Sequence, residues 1–452
     1  MAKSRTVFVC SSCGNESPRW QGQCPACNEW NTLSAYHAPP QAQRRARRAE
    51  AATAASPLGL SEVVVDDAVR LPTGLAEFDR VLGGGLVVGS VTLIGGEPGI
   101  GKSTLLLQSG AAMAGRVPVL YATGEESVRQ VGLRAQRLGV GETPLRLLAE
   151  TSVEQVVAQA EASGARVLIV DSIQTMAADT VDTAAGSVSQ LRECAARLVA
   201  FAKRSGTAVL LIGHVTKEGI IAGPRVLEHM VDAVLYFESD SGSRFRVIRA
   251  VKNRFGAANE IGVFAMGEDG LKEVRNPSAI FLSRHEEPVA GSVVTVAREG
   301  TRQMLIEVQA LVDPSHGTNP RRVAVGLDAN RVAMLLAVLH RHAGVALHGH
   351  DVFVNVVGGV RLGETAADLP VLVAALSSLE ARALPQDLVC FGEVGLAGEI
   401  RPVPFGEERL REAAKHGFCR AVVPRANVPR KAVEGMSVTG VGRLVEAVRA
   451  LG

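Results

Sequence analysis

One stretch of eight residues, Gly96–Ser103, constrains this chain more than any other part of its sequence. It reads Gly-Glu-Pro-Gly-Ile-Gly-Lys-Ser and matches G-x-x-x-x-G-K-[ST], a loop that binds the phosphates of a nucleoside triphosphate. Its glycines let backbone N–H groups curl around the anion. Lys102 supplies positive charge at the β- and γ-phosphates, and the Ser103 hydroxyl is a ligand for Mg²⁺. The predicted nucleotide-binding residues are Gly96, Glu97, Pro98, Gly99, Ile100, Gly101, Lys102, Ser103 and Thr104.

The residues on either side of this loop fit a strand, a loop and a helix in succession. Ser90–Ile94 reads as a buried strand, and a helix is predicted from Thr104. Three further apolar runs, separated by helical segments, read as buried strands: Val117–Ala122, Val167–Asp171 and Val209–His214. Apolar strands that alternate with helices indicate an α/β domain with a doubly wound, mostly parallel sheet. Ligands of such sheets bind outside the carboxyl ends of the strands.

Acidic side chains follow two of these strands. Asp171 ends one of them, a position where a carboxylate holds Mg²⁺ directly or through water. Glu125 and Glu126 follow another, and one of them is expected to orient the water that attacks the γ-phosphate. The sequence does not separate the two, because the second acid can support the first or cap the following helix.

Four cysteines near the N-terminus form two C-x-x-C pairs with ten residues between the pairs. They are Cys10, Cys13, Cys24 and Cys27. Two such pairs can place four thiolates tetrahedrally around one Zn²⁺. A segment of about 30 residues buries too little surface to fold alone, so the metal would supply much of its folding free energy. Modules of this kind dock on nucleic acid or on proteins. Trp20, Arg19 and Trp30 either contact such a partner or form the small core of the module.

Residues 37–60 read as a linker that begins at Pro39-Pro40 and carries four arginines, Arg44, Arg45, Arg47 and Arg48. It is either a solvated tether or a non-specific contact for phosphates. Residues 1–60 contain seven Lys or Arg against three Glu, although the whole chain has a net charge of only +2. The sequence has no apolar run of about 18 residues and no signal peptide, so we expect a cytoplasmic protein without a membrane span.

Several motifs together resemble the RecA-type core of recombinases and ring ATPases. They are the lead-in Thr73–Leu86, the phosphate loop, Gly124–Ser127, Leu168–Asp171 and Lys252–Gly256. The lead-in and the loop alone would also suit KaiC-type ATPases. The pentapeptide Lys-Asn-Arg-Phe-Gly, taken with the cysteine module, is more specific and resembles the RadA (Sms) family of bacterial DNA repair and recombination proteins. This resemblance covers essentially the whole chain in the expected order.

The resemblance implies a motor that uses ATP and Mg²⁺ and forms a homo-oligomeric ring, expected as a hexamer, around single-stranded DNA. It also implies a RecA-type recombinase as partner and branched recombination intermediates as substrates after DNA damage. His214 would occupy the position of a γ-phosphate sensor, with a buried histidine satisfied by the backbone as the alternative. Lys252 and Arg254 would reach the nucleotide of a neighbouring subunit. Contact of these two cations with DNA is the other interpretation, and the residue types do not separate the two.

Two loops lie in the same order along the chain as the DNA-facing central loops of RecA. One spans 172–189 and is rich in small polar residues, and the other spans 216–225. We expect Lys217 and Arg225 of the second loop to contact the phosphate backbone of DNA.

Residues from about 285 to 450 resemble the proteolytic domain of Lon, which uses a Ser–Lys dyad. On this chain the Ser position falls on or near Ala366, and the Lys position falls on or near Glu407. Alanine has no nucleophilic oxygen, and glutamate has the wrong charge to lower the pKa of a serine. Thr365 lies one residue away and has no lysine partner in the motif. We therefore predict a protease-like scaffold without protease activity.

The sequence thus predicts a zinc module at 1–36, a linker at 37–60, a RecA-like ATPase domain at 61–275 and an inactive Lon-like α+β domain at 276–452. The favoured function is a DNA-dependent ATPase of recombinational repair. One alternative is a KaiC-like regulatory ATPase without a DNA substrate, against which the cysteine module and the Lys252–Gly256 motif argue. The other is a Lon-type ATP-dependent protease, against which Ala366 and Glu407 argue.

Overall fold

The computed structural model of the chain describes residues 5–10, 15–38, 70–214, 226–239, 244–279, 281–282, 287–317 and 319–451. They belong to two compact units, the N-terminal unit (Met1–Val274) and the C-terminal unit (Arg275–Gly452). Four predicted features lie wholly or mainly outside the described residues: Cys13, Lys217, Arg225 and the linker at 37–60.

Three short antiparallel strands surround the N-terminal cysteines in the order β2-β1-β3. They are β1 (Arg5–Cys10), β2 (Glu16–Ser17) and β3 (Leu33–Ala38). The buried cluster of this module consists of Cys10, Cys24 and Leu33, with Phe8 and Cys27 packed against it. Cysteine sulfur atoms therefore form much of its interior, as expected of a module that depends on a metal.

The rest of the N-terminal unit is built on a nine-stranded sheet. A separate ribbon precedes it and pairs β4 (Arg70–Leu71) with β5 (Leu86–Val87). The sheet strands are β6 (Val91–Gly96), β7 (Val119–Thr123), β8 (Arg146–Ala149), β9 (Val167–Asp171), β10 (Ala208–Ile212), β11 (Ala233–Glu238), β12 (Phe245–Asn253), β13 (Ile261–Gly267) and β14 (Gly270–Glu273). The helices are α1 (Ala76–Leu82), α2 (Lys102–Ala114), α3 (Val128–Arg137), α4 (Val153–Ala162), α5 (Val188–Ser205) and α6 (Val226–Met230).

The strands of this sheet lie in the order β14-β13-β12-β11-β6-β10-β9-β7-β8. The strands from β11 to β8 in this order run parallel, and β12, β13 and β14 extend the sheet with antiparallel pairing. The carboxyl ends of β6, β10, β9 and β7 consequently lie side by side, and we call this line of strand ends the carboxyl edge.

Side chains of the sheet alternate between two buried clusters. Leu168 and Val170 of β9 belong to a cluster that includes residues of α5, whereas Val167 and Ile169 belong to a cluster that includes residues of α2. Because successive side chains of a strand point to opposite faces, helices cover the sheet on both sides. This arrangement confirms the α/β fold class predicted from the continuous apolar runs.

The C-terminal unit has a seven-stranded mixed sheet in the order β17-β18-β16-β15-β19-β22-β23. Its strands are β15 (Ser292–Glu299), β16 (Arg302–Pro314), β17 (Arg322–Val325), β18 (His350–Val356), β19 (Leu388–Cys390), β20 (Glu393–Val394), β21 (Ile400–Arg401), β22 (Arg420–Pro424) and β23 (Ser437–Val441), with β20 and β21 paired separately. Its helices are α7 (Ala329–Ala343), α8 (Asp368–Leu379), α9 (Gly406–Lys415) and α10 (Leu444–Leu451). Among the described helices of the chain, none has both the length and the apolar character needed to cross a bilayer.

Candidate nucleotide site and metal centre

The phosphate loop joins β6 to α2 at the carboxyl edge. Helix α2 begins at Lys102, directly after Gly101, whose φ is 119°. This positive φ is the reason that the turn requires glycine; a Cβ atom here would also lie 2.7 Å from Met266 Cε, the movable end of a flexible side chain. The Lys102 ammonium donates hydrogen bonds to the carbonyl oxygens of Gly96 at 2.7 Å and Glu97 at 2.8 Å. The first N–H groups of α2 point at the same space, as in anion sites at helix N-termini.

The charge of Lys102 is only partly compensated in this loop. Burial lowers its pKa to about 8, although the nearby carboxylates of Asp171, Glu125 and Glu97 act in the opposite direction. An anion beside the ammonium would favour its charged form and raise the pKa again. The electrostatics of Lys102 therefore suit a phosphate ligand.

Asp171 lies buried at the end of β9 with hydroxyl donors around it. The Tyr121 hydroxyl donates a hydrogen bond to Asp171 Oδ2 at 2.5 Å, and the Ser103 hydroxyl lies near enough to the same carboxylate to lower its pKa. Burial raises the pKa of Asp171, and the charges of Glu125 and Glu126 raise it further, whereas the two hydroxyl donors lower it. Asp171 Oδ1 is buried and has no hydrogen-bond partner among the residues that the structure describes. A divalent cation at this oxygen would satisfy it and neutralise the carboxylate, so Ser103 and Asp171 fit Mg²⁺.

Glu125 is held by two side chains from neighbouring strand ends. Its Oε1 accepts a hydrogen bond from Ser172 Oγ at 2.5 Å and lies 2.7 Å from His214 Nε2. The bond with His214 is the largest cause that lowers the pKa of Glu125 to about 2; Ser172 and the charge of Lys102 add to it, and burial opposes it. Glu125 is therefore an oriented, ionised carboxylate beside the phosphate loop.

Glu126 has a different partner. Its carboxylate pairs with the Arg134 guanidinium of α3, and its backbone N–H donates to Thr123 Oγ1 at 3.1 Å. Glu126 Oε2 and Arg134 Nη1 are both buried and lack a hydrogen-bond partner within the described part of the chain. The geometry thus separates two acids that the sequence left equivalent: Glu125 bonds to His214, and Glu126 bonds to α3.

His214 follows β10 and joins Glu125 to a third strand end. Its carbonyl oxygen accepts a hydrogen bond from Gln174 Nε2 at 3.4 Å, while its ring contacts Glu125. His214 Nδ1 and Gln174 Oε1 are buried, and neither has a partner among the described residues. The ring therefore belongs to the polar cluster of the carboxyl edge and is not satisfied by the backbone alone.

Lys252 lies where the parallel strands begin, at the opposite end of the strands from the phosphate loop. It belongs to β12 and pairs with Val234 near the start of β11. Its ammonium donates to the carbonyl oxygens of Glu228 and Val231, both at 2.7 Å. Burial and the neighbouring charge of Arg254 lower the pKa of Lys252.

Arg254 lies beside the beginning of β6. Its Nη1 donates to Asp232 Oδ1 at 3.0 Å, and Asp232 Oδ2 accepts a hydrogen bond from the backbone N–H of Val91. At a rise of about 3.3 Å per residue, the two ends of β6 are roughly 16 Å apart. The structure therefore does not bring Lys252 and Arg254 to the phosphate loop of their own chain. The Arg254 side chain is 52% exposed and is accessible from outside this unit.

The first half of the first candidate DNA loop packs against the core, whereas Asp182 and residues 184–186 are exposed. Ile173, Met176, Ala178 and Val181 of the loop at 172–189 are buried. The loop contains Asp179 and Asp182 but no lysine or arginine. Its composition thus gives no support for direct contact with a phosphate backbone.

The cysteine module has the geometry of a metal site. The Sγ atoms of Cys10, Cys24 and Cys27 lie within 4.8 Å of one another, and those of Cys10 and Cys27 are 3.6 Å apart. Thiolates around a tetrahedral Zn²⁺ with Zn–S bonds of about 2.3 Å are about 3.8 Å apart. The three described cysteines therefore fit zinc, and Cys13, the predicted fourth ligand, lies outside the described residues.

In the C-terminal unit, neither position of the expected protease dyad has catalytic chemistry. Ala366 is buried, and Glu407 lies on α9, where its carboxylate pairs with Arg411 at 2.5 Å. The Thr365 hydroxyl donates to Glu393 Oε2 at 2.8 Å. No ammonium group lies in this set of contacts.

A buried ion pair lies close to these positions. Arg409, 1% exposed, donates from Nη2 to Glu364 Oε2 at 2.5 Å and from Nη1 to Glu364 Oε1 at 2.8 Å. Its remaining donors bond to the carbonyl oxygens of Pro404 and Val296. The guanidinium is thus surrounded by acceptors of its own unit.

Sequence reasoning missed Tyr121, Ser172 and Arg134 as members of the nucleotide site. Tyr121 had one detectable signal: its hydroxyl interrupts a strand that is otherwise apolar up to Thr123, and a buried phenol requires an acceptor. Ser172 and Arg134 carry no such signal, because their roles depend on which strand ends and helices become neighbours.

Three parts of the chain match protein-family models. A model described as an AAA domain matches residues 54–219, and one described as a rubredoxin metal binding domain matches residues 8–35. A model described as subunit ChlI of Mg-chelatase matches residues 322–427. These matches agree with the predicted order of metal module, nucleotide-binding domain and Lon-like domain.

The chain is also similar over its full length to proteins named DNA repair protein RadA. It is 57% identical to the one from Pseudomonas aeruginosa over 100% of both chains. It is 56% identical to the one from Escherichia coli over 99% of both chains, and 48% identical to the one from Bacillus subtilis over 99% of both.

Proposed function

This chain belongs to the family of the DNA repair protein RadA, and on that premise we propose that it hydrolyses ATP to process DNA in recombinational repair. The observation that carries the proposal is the composition of the carboxyl edge. The phosphate loop, His214, Asp171 and Glu125 follow the four neighbouring strands β6, β10, β9 and β7. A protein that only binds a nucleotide needs the loop, whereas this edge adds one carboxylate for a metal and another for water.

The phosphate loop binds and orients the triphosphate. Backbone N–H groups of Gly96–Thr104 and the Lys102 ammonium contact its β- and γ-phosphates. Mg²⁺, held by Ser103 and Asp171, supplies neutralisation of the charge on the phosphate oxygens when it is bound. Lys102 leaves its bonds to the loop carbonyls to contact the nucleotide, whose negative charge raises the pKa of the ammonium above about 8 again.

Glu125 orients the attacking water, and Glu126 does not. Phosphoryl transfer passes through a loose transition state, so positioning of the water matters more than the strength of the base. A carboxylate with a pKa of about 2 accepts a hydrogen bond from water at every physiological pH. His214 and Ser172 hold this carboxylate in place, and His214 thereby senses the state of the γ-phosphate.

Lys252 and Arg254 act on the nucleotide of a neighbouring subunit. Their position at the opposite end of the strands from the phosphate loop, together with the exposure of Arg254, supports action in trans. Cations that reach the triphosphate from another subunit stabilise the charge of the transition state. Hydrolysis then requires an oligomer, for which a hexameric ring is the natural form in this family resemblance. Contact with DNA remains the competing role for both residues.

The ring surrounds single-stranded DNA and uses hydrolysis to migrate branched recombination intermediates, with a RecA-type recombinase as partner. The names of the full-length relatives support DNA repair, and the family resemblance supplies the motor and the partner. Lys217 and Arg225 contact the DNA backbone, and a zinc ion on Cys10, Cys13, Cys24 and Cys27 holds the N-terminal module.

The C-terminal unit is a protease-like scaffold without peptidase activity. Buried Ala366 and the surface pair of Glu407 with Arg411 support this proposal. The ATPase domain, at 61–275, and the Lon-like domain, at 276–452, then divide the work into a motor and a scaffold.

The test is ATP hydrolysis with and without single-stranded DNA, using Lys102→Ala as the blank. We expect stimulation of the wild type by DNA and no hydrolysis by Lys102→Ala. Hydrolysis that DNA does not change would move the function to a KaiC-like regulatory ATPase.

A second experiment tests action in trans by mixing Arg254→Ala or Lys252→Ala subunits with Glu125→Gln subunits. We expect the mixture to recover ATP hydrolysis. If it does not, the DNA-contact role of Lys252 and Arg254 would be favoured.

A further inference from the structure

Tyr121 is the unexpected polar residue of the nucleotide site. It lies in the middle of β7, and every residue of this strand is buried. The side chain is 0% exposed and packs in the apolar cluster that includes Leu105, Leu210 and Ile169. A phenol hydroxyl in such surroundings must find an acceptor, because an unpaired one costs free energy.

The acceptor of the Tyr121 hydroxyl is the carboxylate that the proposed function assigns to Mg²⁺. Strand β7 pairs with β9 so that Thr123 lies opposite Asp171, and the phenol reaches Asp171 Oδ2 at 2.5 Å. The other oxygen, Oδ1, is buried and unpartnered within the described part of the chain. One oxygen of Asp171 is thus tied to the protein, and the other remains available.

We propose that Tyr121 is a positioning residue for Asp171: its hydroxyl anchors one carboxylate oxygen so that the other is presented to Mg²⁺. The inference rests on the proposed function and deepens it. Partners that fix the orientation of a metal ligand are a general feature of metal sites, and their loss weakens metal affinity about 10–100-fold. A tyrosine hydroxyl also leaves the carboxylate its negative charge, which an ammonium or guanidinium partner would cancel.

Packing alone does not require the hydroxyl at this position. The neighbours of Tyr121 along β7 are Leu120 and Ala122, and a phenylalanine ring would fill the same space. The variant Tyr121→Phe therefore removes one hydrogen bond to Asp171 and little else.

The matched control is Tyr236→Phe. Tyr236 belongs to β11 of the same sheet, and its hydroxyl donates to a carboxylate as well, Glu228 Oε1 at 2.9 Å. Glu228 belongs to α6 and has no assigned role in nucleotide binding. Both variants thus remove a phenol–carboxylate hydrogen bond, but only one of these bonds involves Asp171.

The experiment measures binding of a fluorescent ADP analogue to the full chain during titration with Mg²⁺, and again in EDTA. For Tyr121→Phe we expect the Mg²⁺ concentration for half-maximal binding to rise about tenfold, with binding in EDTA unchanged. For Tyr236→Phe we expect the values of the wild type. Asp171→Asn should lose the Mg²⁺ dependence, and adding Tyr121→Phe to it should change nothing further, because Tyr121 acts through Asp171.

Three outcomes would overturn the inference. The first is a Mg²⁺ requirement of Tyr121→Phe equal to that of the wild type. The second is an equal loss of binding in EDTA, which would show that the hydroxyl shapes the phosphate loop. The third is a ligand-free unfolding temperature far below that of Tyr236→Phe, which would assign the hydroxyl to fold stability. A wild type without Mg²⁺-dependent binding would contradict the proposed function itself, so the two failures are distinguishable.

Discussion

Buried polar groups are hydrogen-bonded differently at the carboxyl edge of the N-terminal unit and in the dyad region of the C-terminal unit. The dyad region means Arg331, Glu364, Asp368 and Arg409. At the carboxyl edge, buried atoms of Asp171, Gln174 and His214 lack hydrogen-bond partners among the described residues. In the dyad region, Arg409 and Glu364 share two hydrogen bonds, and Asp368 pairs with Arg331 of α7 and with a backbone N–H. No buried side-chain atom of these four residues lacks a partner within the described chain.

This difference is the one expected if the carboxyl edge binds a ligand and the dyad region does not. A buried polar atom without a partner costs free energy in the isolated protein, and a site retains such atoms where a ligand later satisfies them. A region that binds no ligand is under no such requirement, so its charges can pair with one another. Arg409 and Arg331 carry the positive charges of this region, and both are paired: Arg409 bonds to Glu364 and to two backbone carbonyls, and Arg331 bonds to Asp368.

The largest effect that would test this comparison is on ATP hydrolysis at the carboxyl edge. Glu125→Gln should lower kcat about 10²–10⁴-fold, because the neutral amide lacks the negative charge with which the carboxylate orients the attacking water. Binding of ATP should remain, since Lys102 and the loop are unchanged. The measurement is steady-state ATP hydrolysis together with equilibrium binding of the nucleotide.

Glu126→Gln is the control for this prediction, because it alters the adjacent acid and leaves Glu125 in place. Its pair with Arg134 is partly exposed, so we expect a loss of activity of less than about tenfold. If Glu126→Gln were the more damaging of the two, the assignment of the water-orienting carboxylate would have to be reversed.

The second effect is on the stability of the dyad region. Glu364→Gln leaves the buried Arg409 guanidinium without its counter-charge and should cost about 3–5 kcal/mol of unfolding free energy in the C-terminal unit. Glu407→Gln is the matched control: it breaks a surface pair with Arg411 and should cost about 0.5 kcal/mol or less.

Urea unfolding followed by hydrogen exchange of peptides from 276–452 separates the two variants. Equal stability of Glu364→Gln and Glu407→Gln would mean that the Arg409 pair does not hold this region together.

The sequence was sufficient for the parts of the site that depend on short motifs. The phosphate loop, Asp171 and the Glu125–Glu126 pair each follow an apolar strand, and parallel strands bring their carboxyl ends to one edge. It was insufficient where the result depends on strand order. Tyr121 meets Asp171 only because β7 lies beside β9, and nothing local to either strand specifies that neighbour.

The same limit applies to the two glutamates and to the C-terminal unit. Glu125 and Glu126 are adjacent in sequence, and only their tertiary partners, His214 and Arg134, distinguish them. The residues at the two dyad positions, Ala366 and Glu407, could be read from the sequence, whereas the absence of peptidase activity stays a prediction. The nearby ion pair could not be predicted, since Arg409 and Glu364 lie on separate elements.

A smaller effect is the pH dependence of the affinity for ATP at the carboxyl edge. Free Lys102 has a pKa of about 8, and bound phosphate requires it charged, so binding above pH 8 must take up a proton. Affinity for ATP in EDTA should therefore be flat below pH 8 and fall by up to about tenfold per pH unit above it. Lys102→Arg keeps its charge throughout this range and should show no such slope, whatever its absolute affinity. A wild-type affinity that is equal at pH 7 and pH 9.5 would contradict the prediction.

The smallest effect is expected at Thr365, the hydroxyl closest in sequence to the position expected for the Lon nucleophile. Thr365 is exposed and bonds to the Glu393 carboxylate, so Thr365→Ala should cost about 1 kcal/mol or less. The full chain with ATP should not digest casein or a fluorogenic peptide, and the variant should behave identically, because Thr365 has no lysine to activate it. Peptidase activity that disappears with Thr365→Ala would show instead that a catalytic site can be built from hydroxyl and carboxylate here. The comparison between the carboxyl edge and the dyad region would then be wrong, since pairing of the buried charges would no longer indicate a region without activity.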